Sequence, residues 1–102
     1  MIERLESMLA NGQDTTLLRF TLGKNYIEID DIERAVTHLQ RCVELDPTYS
    51  AAWKLLGKAR LARGDVIGAR RAWEEGIRMA AARGNKQVEK EMVVFLRRLD
   101  KS

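Results

Sequence analysis

Residues 53–69 read WKLLGKARLARGDVIGA, and residues 19–35, RFTLGKNYIEIDDIERA, carry the same skeleton. Leu22-Gly23 answers Leu56-Gly57, Lys24 answers Lys58, Asp31 answers Asp65, Ile32 answers Val66, and Ala35 answers Ala69, all at one offset of 34 residues. A fixed period over that many positions is the mark of a repeat array, in which each unit buries its apolar face only against its neighbours.

Working outward from this pair, apolar residues recur at spacings of three and four, the helical period, and never in the alternating runs of a strand. The pattern predicts six helices. The first, about Ile2–Ala10, ends at Asn11-Gly12, and the second, about Thr15–Glu28, takes Asp14 as its cap. Asp30-Asp31-Ile32-Glu33 resembles a capping box for a third helix ending near Leu45. Asp46-Pro47 stops that helix and opens a fourth, because proline suits a first helical turn. The fourth ends at Arg63-Gly64, and Asp65 caps a fifth that runs to about Arg83. Gly84-Asn85 precedes the last, about Lys86–Leu99. Connections of two to four residues force consecutive helices to pack antiparallel.

The repeated residues have packing reasons. Glycine inside a helix costs about 1 kcal/mol relative to alanine, so Gly23 and Gly57 imply that a neighbouring backbone comes close. Ala35 and Ala69 are small on the second helix of each pair, and Leu39 and Trp73, four residues on, fill the space beside them. Cys42 and Gly76 keep the next inward position small. Val43 with Ile77 and Leu45 with Met79 continue the buried stripe.

A chain of 102 residues, 45% hydrophobic and 32% charged, with one proline, is sized for a single ordered domain. No apolar run approaches the ~18 residues of a membrane span, and Glu3 and Glu6 interrupt the opening residues where a signal peptide would be apolar. A single cysteine cannot form an internal disulfide, which points to a reducing cytoplasm. The net charge of +3 is uneven: residues 1–50 carry −4 and residues 51–102 carry +7. Such a gradient fits an anionic partner, head-to-tail self-association, or simply solvated helix faces.

Trp53, Leu56, Gly57, Ala69 and Trp73 in one unit, and Leu22, Gly23, Tyr26, Ala35, Leu39, Asp46 and Pro47 in the other, resemble the tetratricopeptide repeat. The resemblance spans residues 16–83. It departs at Arg19, where tryptophan is usual, at Arg60, where tyrosine is usual, and at Ala81, where proline would close the second unit. It implies an all-α, right-handed α-solenoid of antiparallel helix pairs: an N-terminal helix in 1–13, repeats at 16–49 and 50–83, and a C-terminal capping helix in 84–102. Two repeats are few for stability, so the last helix is expected to cover the stack with Val88, Met92, Phe95, Leu96 and Leu99 or, alternatively, to dimerise the chain through them.

Candidate chemistry is sparse. His38 and Cys42 lie four apart on one helix, but a metal would need further ligands and a thiol nucleophile an orienting third group. Cys42 occupies the inward position that Gly76 fills in the other unit, so packing accounts for it. No catalytic, cofactor-binding or metal-binding residue is expected, and no cofactor. The resemblance instead implies a concave groove lined by the first helix of each pair, here Leu17, Phe20, Lys24 and Ile27, then Ala51, Lys54, Lys58 and Leu61. The expected function is a non-catalytic protein-interaction module binding a peptide or partner helix. Three lysines among apolar residues would suit an acidic segment, or merely keep the groove soluble. Asparagines with which some members clamp a terminal carboxylate are missing from the matching positions. Nucleic acid is the competing partner, through Arg70, Arg71, Arg78, Arg83, Lys86, Arg97 and Arg98. No aromatic residues interleave with these for base stacking, which ranks nucleic acid below protein.

Overall fold

The structure, a computed structural model, describes residues 1–101. Ser102, the last residue of the predicted capping segment, lies outside the described residues. Six helices follow one another: α1 (Ile2–Ala10), α2 (Thr16–Glu28), α3 (Ile32–Leu45), α4 (Ser50–Ala62), α5 (Val66–Arg83) and α6 (Lys86–Asp100). They stack as the expected solenoid, with no strand among the described residues. Hairpins α2–α3 and α4–α5 are the two repeats, and α2, α4 and α6 lie side by side.

The connections show why the chain turns where it does. Gly64 adopts φ 88°, while Asp65 N–H reaches back to the Arg60 carbonyl at 2.9 Å, an ending that a left-handed residue makes possible. Asp30 stands one period earlier, at φ 63°, with Asp31 N–H bonded to the Tyr26 carbonyl at 2.9 Å. The first unit thus makes the same turn without glycine. Asp31 and Asp65 then cap α3 and α5, their carboxylates accepting from the N–H groups of Arg34 and Gly68 at 3.3 and 2.9 Å.

Two expected helix starts are corrected. Thr15, not Asp14, caps α2, its hydroxyl oxygen accepting from Leu18 N–H at 3.1 Å; Asp14 is occupied by the Arg19 guanidinium at 2.7 Å. Pro47 does not open α4, which starts at Ser50. The Asp46 carboxylate accepts from Thr48 N–H at 3.0 Å and so holds Pro47-Thr48 in a turn before the helix.

The glycines also work differently from expectation. A Cβ on Gly23 would lie 2.5 Å from Leu39 Cγ, and one on Gly57 would lie 2.5 Å from Trp73 Cδ1. What comes close is therefore a side chain of the second helix, not its backbone. The indole of Trp73 lies on bare α4 backbone and donates to the Lys54 carbonyl at 3.1 Å. Ala35 and Ala69 are fully buried, so the small-then-large spacing does hold the hairpins together.

Leu22, Leu56 and Met92 are each completely buried, and each is the seventh residue of its helix. By that register α6 is a third first-type helix, shifted by two residues because α5 is four residues longer than α3 while the connection after it is two residues shorter. The next residue is Gly23 in α2 and Gly57 in α4, but Val93 in α6. Met92 enters the hollow left by Gly76, whose Cβ would meet its sulfur at 2.5 Å. Trp53 packs against both clusters of buried residues and joins the two halves of the core.

At the other end α1 lays Ile2, Leu5, Met8 and Leu9 on the first repeat. Glu6 accepts a hydrogen bond from the Tyr26 hydroxyl and faces His38 Nε2 at 3.5 Å.

Candidate peptide-binding groove

The eight expected groove residues fall on α2 and α4 at spacings of three, four and three, one stripe per helix. Their surroundings differ. Leu17 is 66% exposed and Leu61 39%. Lys24 and Lys58 are exposed, whereas Phe20, Ile27 and Ala51 are half-buried. Phe20 closes the seam between α2 and α4 by packing on Tyr49, ring centroids 4.9 Å apart.

Lys54 and Lys58 are both turned to α6. The Lys54 ammonium pairs with Glu91 at 3.0 Å, its side chain only 22% exposed. One turn later the Lys58 ammonium sits over the Phe95 ring, 5.2 Å from its centroid, a cation–π contact. Beside these two contacts lies a cleft of about 440 Å³ between α4 and α6. Leu61, Ala62, Trp73, Phe95 and Leu99 supply its apolar walls, with Lys58 and Arg98 also on its lining. Trp73 and Phe95 meet there at 5.2 Å between centroids, tilted 46°.

Phe95, Glu91 and Leu99 stand beside the expected stripe of α4 but were not among the expected groove residues, because the last helix reads, in sequence, as a cover for the stack or a dimerising face. The signal that could have found them is the placement of Met92 in its helix, which repeats that of Leu22 and Leu56 once the offset is allowed to lengthen by two.

His38 and Cys42 each have other business. Arg19 Nη1 contacts His38 Nδ1 at 3.1 Å, which requires Nδ1 to accept and so places the ring proton on Nε2, toward Glu6. The Cys42 thiol donates to the Thr16 carbonyl at 3.4 Å, and burial raises its pKa to about 11, so it stays protonated at neutral pH. Among the described residues no group of three or more His, Cys, Asp or Glu is placed to hold a metal ion. No helix among them is long and apolar enough to cross a membrane.

Three of the basic residues of the second half are engaged by side chains of other residues. Arg70 pairs with Asp100 at 2.6 Å, Arg78 with Glu75, and Arg83 donates to the Thr48 hydroxyl. Arg60, in the place usual for tyrosine, is half-buried and bridges helices instead, donating to the Gly68 carbonyl at 3.1 Å and to Gln40.

A TPR repeat-containing protein of Pseudomonas aeruginosa is 66% identical over 102 residues, all of this chain and 97% of the relative. The chain belongs to the tetratricopeptide-repeat family. A second relative, a heat-shock protein cognate co-chaperone of Aspergillus fumigatus, is 30% identical over 70 residues, 69% of this TPR chain but only 20% of the co-chaperone. Among solved structures, a protein from Bordetella parapertussis is 54% identical with a TM-score of 0.85, covering 99% of this chain and 88% of that one. The TPR domain of Sgt2 from Aspergillus fumigatus superposes with a TM-score of 0.75 at 23% identity, over 99% of this chain and 69% of that one, a likeness of fold. No family model matches the chain.

Proposed function

We propose that this protein is a non-catalytic interaction module whose α2–α4–α6 face receives an acidic peptide or partner helix. The observation that carries the reading is one face that combines exposed leucines, Leu17 and Leu61, with the exposed cations Lys24 and Lys58. Apolar side chains left in water gain by being covered, and the lysines favour carboxylates over cations among the candidates for covering them. The co-chaperone among its relatives adds support for a protein partner. A cytoplasmic setting fits the buried, unbridged Cys42.

Affinity capture from the native cell, followed by titration with the captured partner, tests the reading. The informative variant is Lys24→Glu with Lys58→Glu, because Lys54 is committed to Glu91 and reversing its charge would perturb the α4–α6 seam itself. The double variant should keep its helical circular dichroism and lose the partner. Undiminished affinity would overturn the groove.

A further inference from the structure

We propose that the cleft between the C-terminal halves of α4 and α6 is an anchor subsite for one bulky apolar side chain of an acidic peptide, with a carboxylate of that peptide held at the mouth by Lys58. This rests on the groove reading and names what the groove selects. The Lys54–Glu91 pair bridges the two helices one turn before Lys58, the first α4 residue on the lining of the cleft. Its volume, about 440 Å³, lies within the range of small-ligand sites, roughly 300–1,000 Å³. Its walls are aromatic and aliphatic, the composition in which interface anchors settle.

Charge complementarity selects the occupant. The Lys58 ammonium stands over the Phe95 ring on the lining of the cleft, so an incoming apolar group brings whatever follows it past a positive charge. A neutral or basic peptide would cover the same walls while leaving or opposing that charge. An acidic neighbour gains from it.

The cleft has a built-in reporter. The chain has two tryptophans; the indole of Trp73 lines the cleft, while that of Trp53 donates to the Pro47 carbonyl at 2.7 Å. Phenylbutyrate, an apolar ring on a short stem ending in a carboxylate, serves as the probe. In NMR titrations of the full chain it should shift the Trp73 indole N–H resonance and leave that of Trp53 in place, and phenylbutanol should bind more weakly. Lys58→Met, which keeps the aliphatic stem, should weaken phenylbutyrate about two- to fivefold, the worth of one exposed ion pair, and leave phenylbutanol unchanged. Ala62→Phe, at an exposed position on the cleft wall, should block both probes while preserving helical content. The proposal is overturned if Trp73 does not respond, if the alcohol binds as well as the acid, or if Ala62→Phe has no effect. It is also overturned if the Trp73 resonance moves with protein concentration as the chain self-associates, because the occupant is then a second copy. Loss of the captured partner in the Lys24→Glu, Lys58→Glu variant together with a silent Trp73 would leave the groove standing and remove the cleft.

Discussion

Gly57 shows how one missing methyl group organises a repeat. Its place under the Trp73 indole leaves no room for a Cβ, which would meet Cδ1 at 2.5 Å, and Trp73 itself is only 2% exposed and hydrogen-bonded to the same helix. Gly57→Ala gains about 1 kcal/mol in helix propensity but must displace a buried indole, at a cost of roughly 1–3 kcal/mol or more. The expected result is net destabilisation, seen as a lower urea midpoint; a midpoint equal to or above wild type would contradict the packing. Asp30 offers the opposite change. Its φ of 63° is the left-handed conformation that Gly64 adopts one period later at 88°. Asp30→Gly should raise stability by about 0.5–1 kcal/mol, the relief of backbone crowding less the added freedom of the unfolded chain, and thermal unfolding measures it. The recurrence of Gly23 and Gly57 was plain in the sequence. What fills the space above them was not, since a bare backbone can receive either another backbone or a large side chain, and only the positions of Leu39 and Trp73 decide between the two.

At the scale of the helix, α6 carries the second half of the core. Met92 is completely buried and lies in the hollow over Gly76 while Trp73, Ala69 and Ala80 complete the cluster. Met92→Ala should cost about 2–5 kcal/mol, the range for emptying such a site, and a denaturant titration would read it; a change below about 1 kcal/mol would place the weight of the cluster elsewhere. The six-helix pattern was legible because apolar spacing and glycine endings act locally, within a few residues of each boundary. The equivalence of α6 with α2 and α4 was hidden by the longer α5 and the shorter connection after it, which together lengthen the offset by two. The two stripes of the candidate groove were legible along α2 and α4. The placing of Phe95 and Leu99 beside them depends on tertiary register, and so does the capture of Lys54 by Glu91.

For the molecule as a whole, acid should weaken the fold in two steps. His38 is buried with its pKa held below the ordinary histidine value, chiefly by burial, with Glu6 opposing and Arg19 reinforcing that shift. The unfolded chain therefore takes up a proton near pH ~6.5 that the folded chain refuses, and stability falls as pH drops through that value. Asp14, hydrogen-bonded by Arg19, and Asp46, hydrogen-bonded by Thr48, have pKa values below the usual carboxylate range. The folded chain stays ionised at these sites where the unfolded chain protonates, so a second loss follows as pH falls below ~4. Urea midpoints at about pH 7.5, 5.5 and 3.5 should trace both steps. In His38→Gln the first should vanish and the second remain, whereas an undiminished first step would assign it to other groups.

The register of α6 has one more bearing, on growth. Where the two earlier rods offer bare backbone, at Gly23 and Gly57, this one offers the branched side chain of Val93. A following rod laid down as α3 and α5 are would have to ride over an isopropyl group and stand farther off. A second-type helix can therefore pack on α6 at the native spacing only once that side chain is removed, and appending a copy of α5 to Val93→Gly, against the chain with valine, would show whether a single residue sets that spacing.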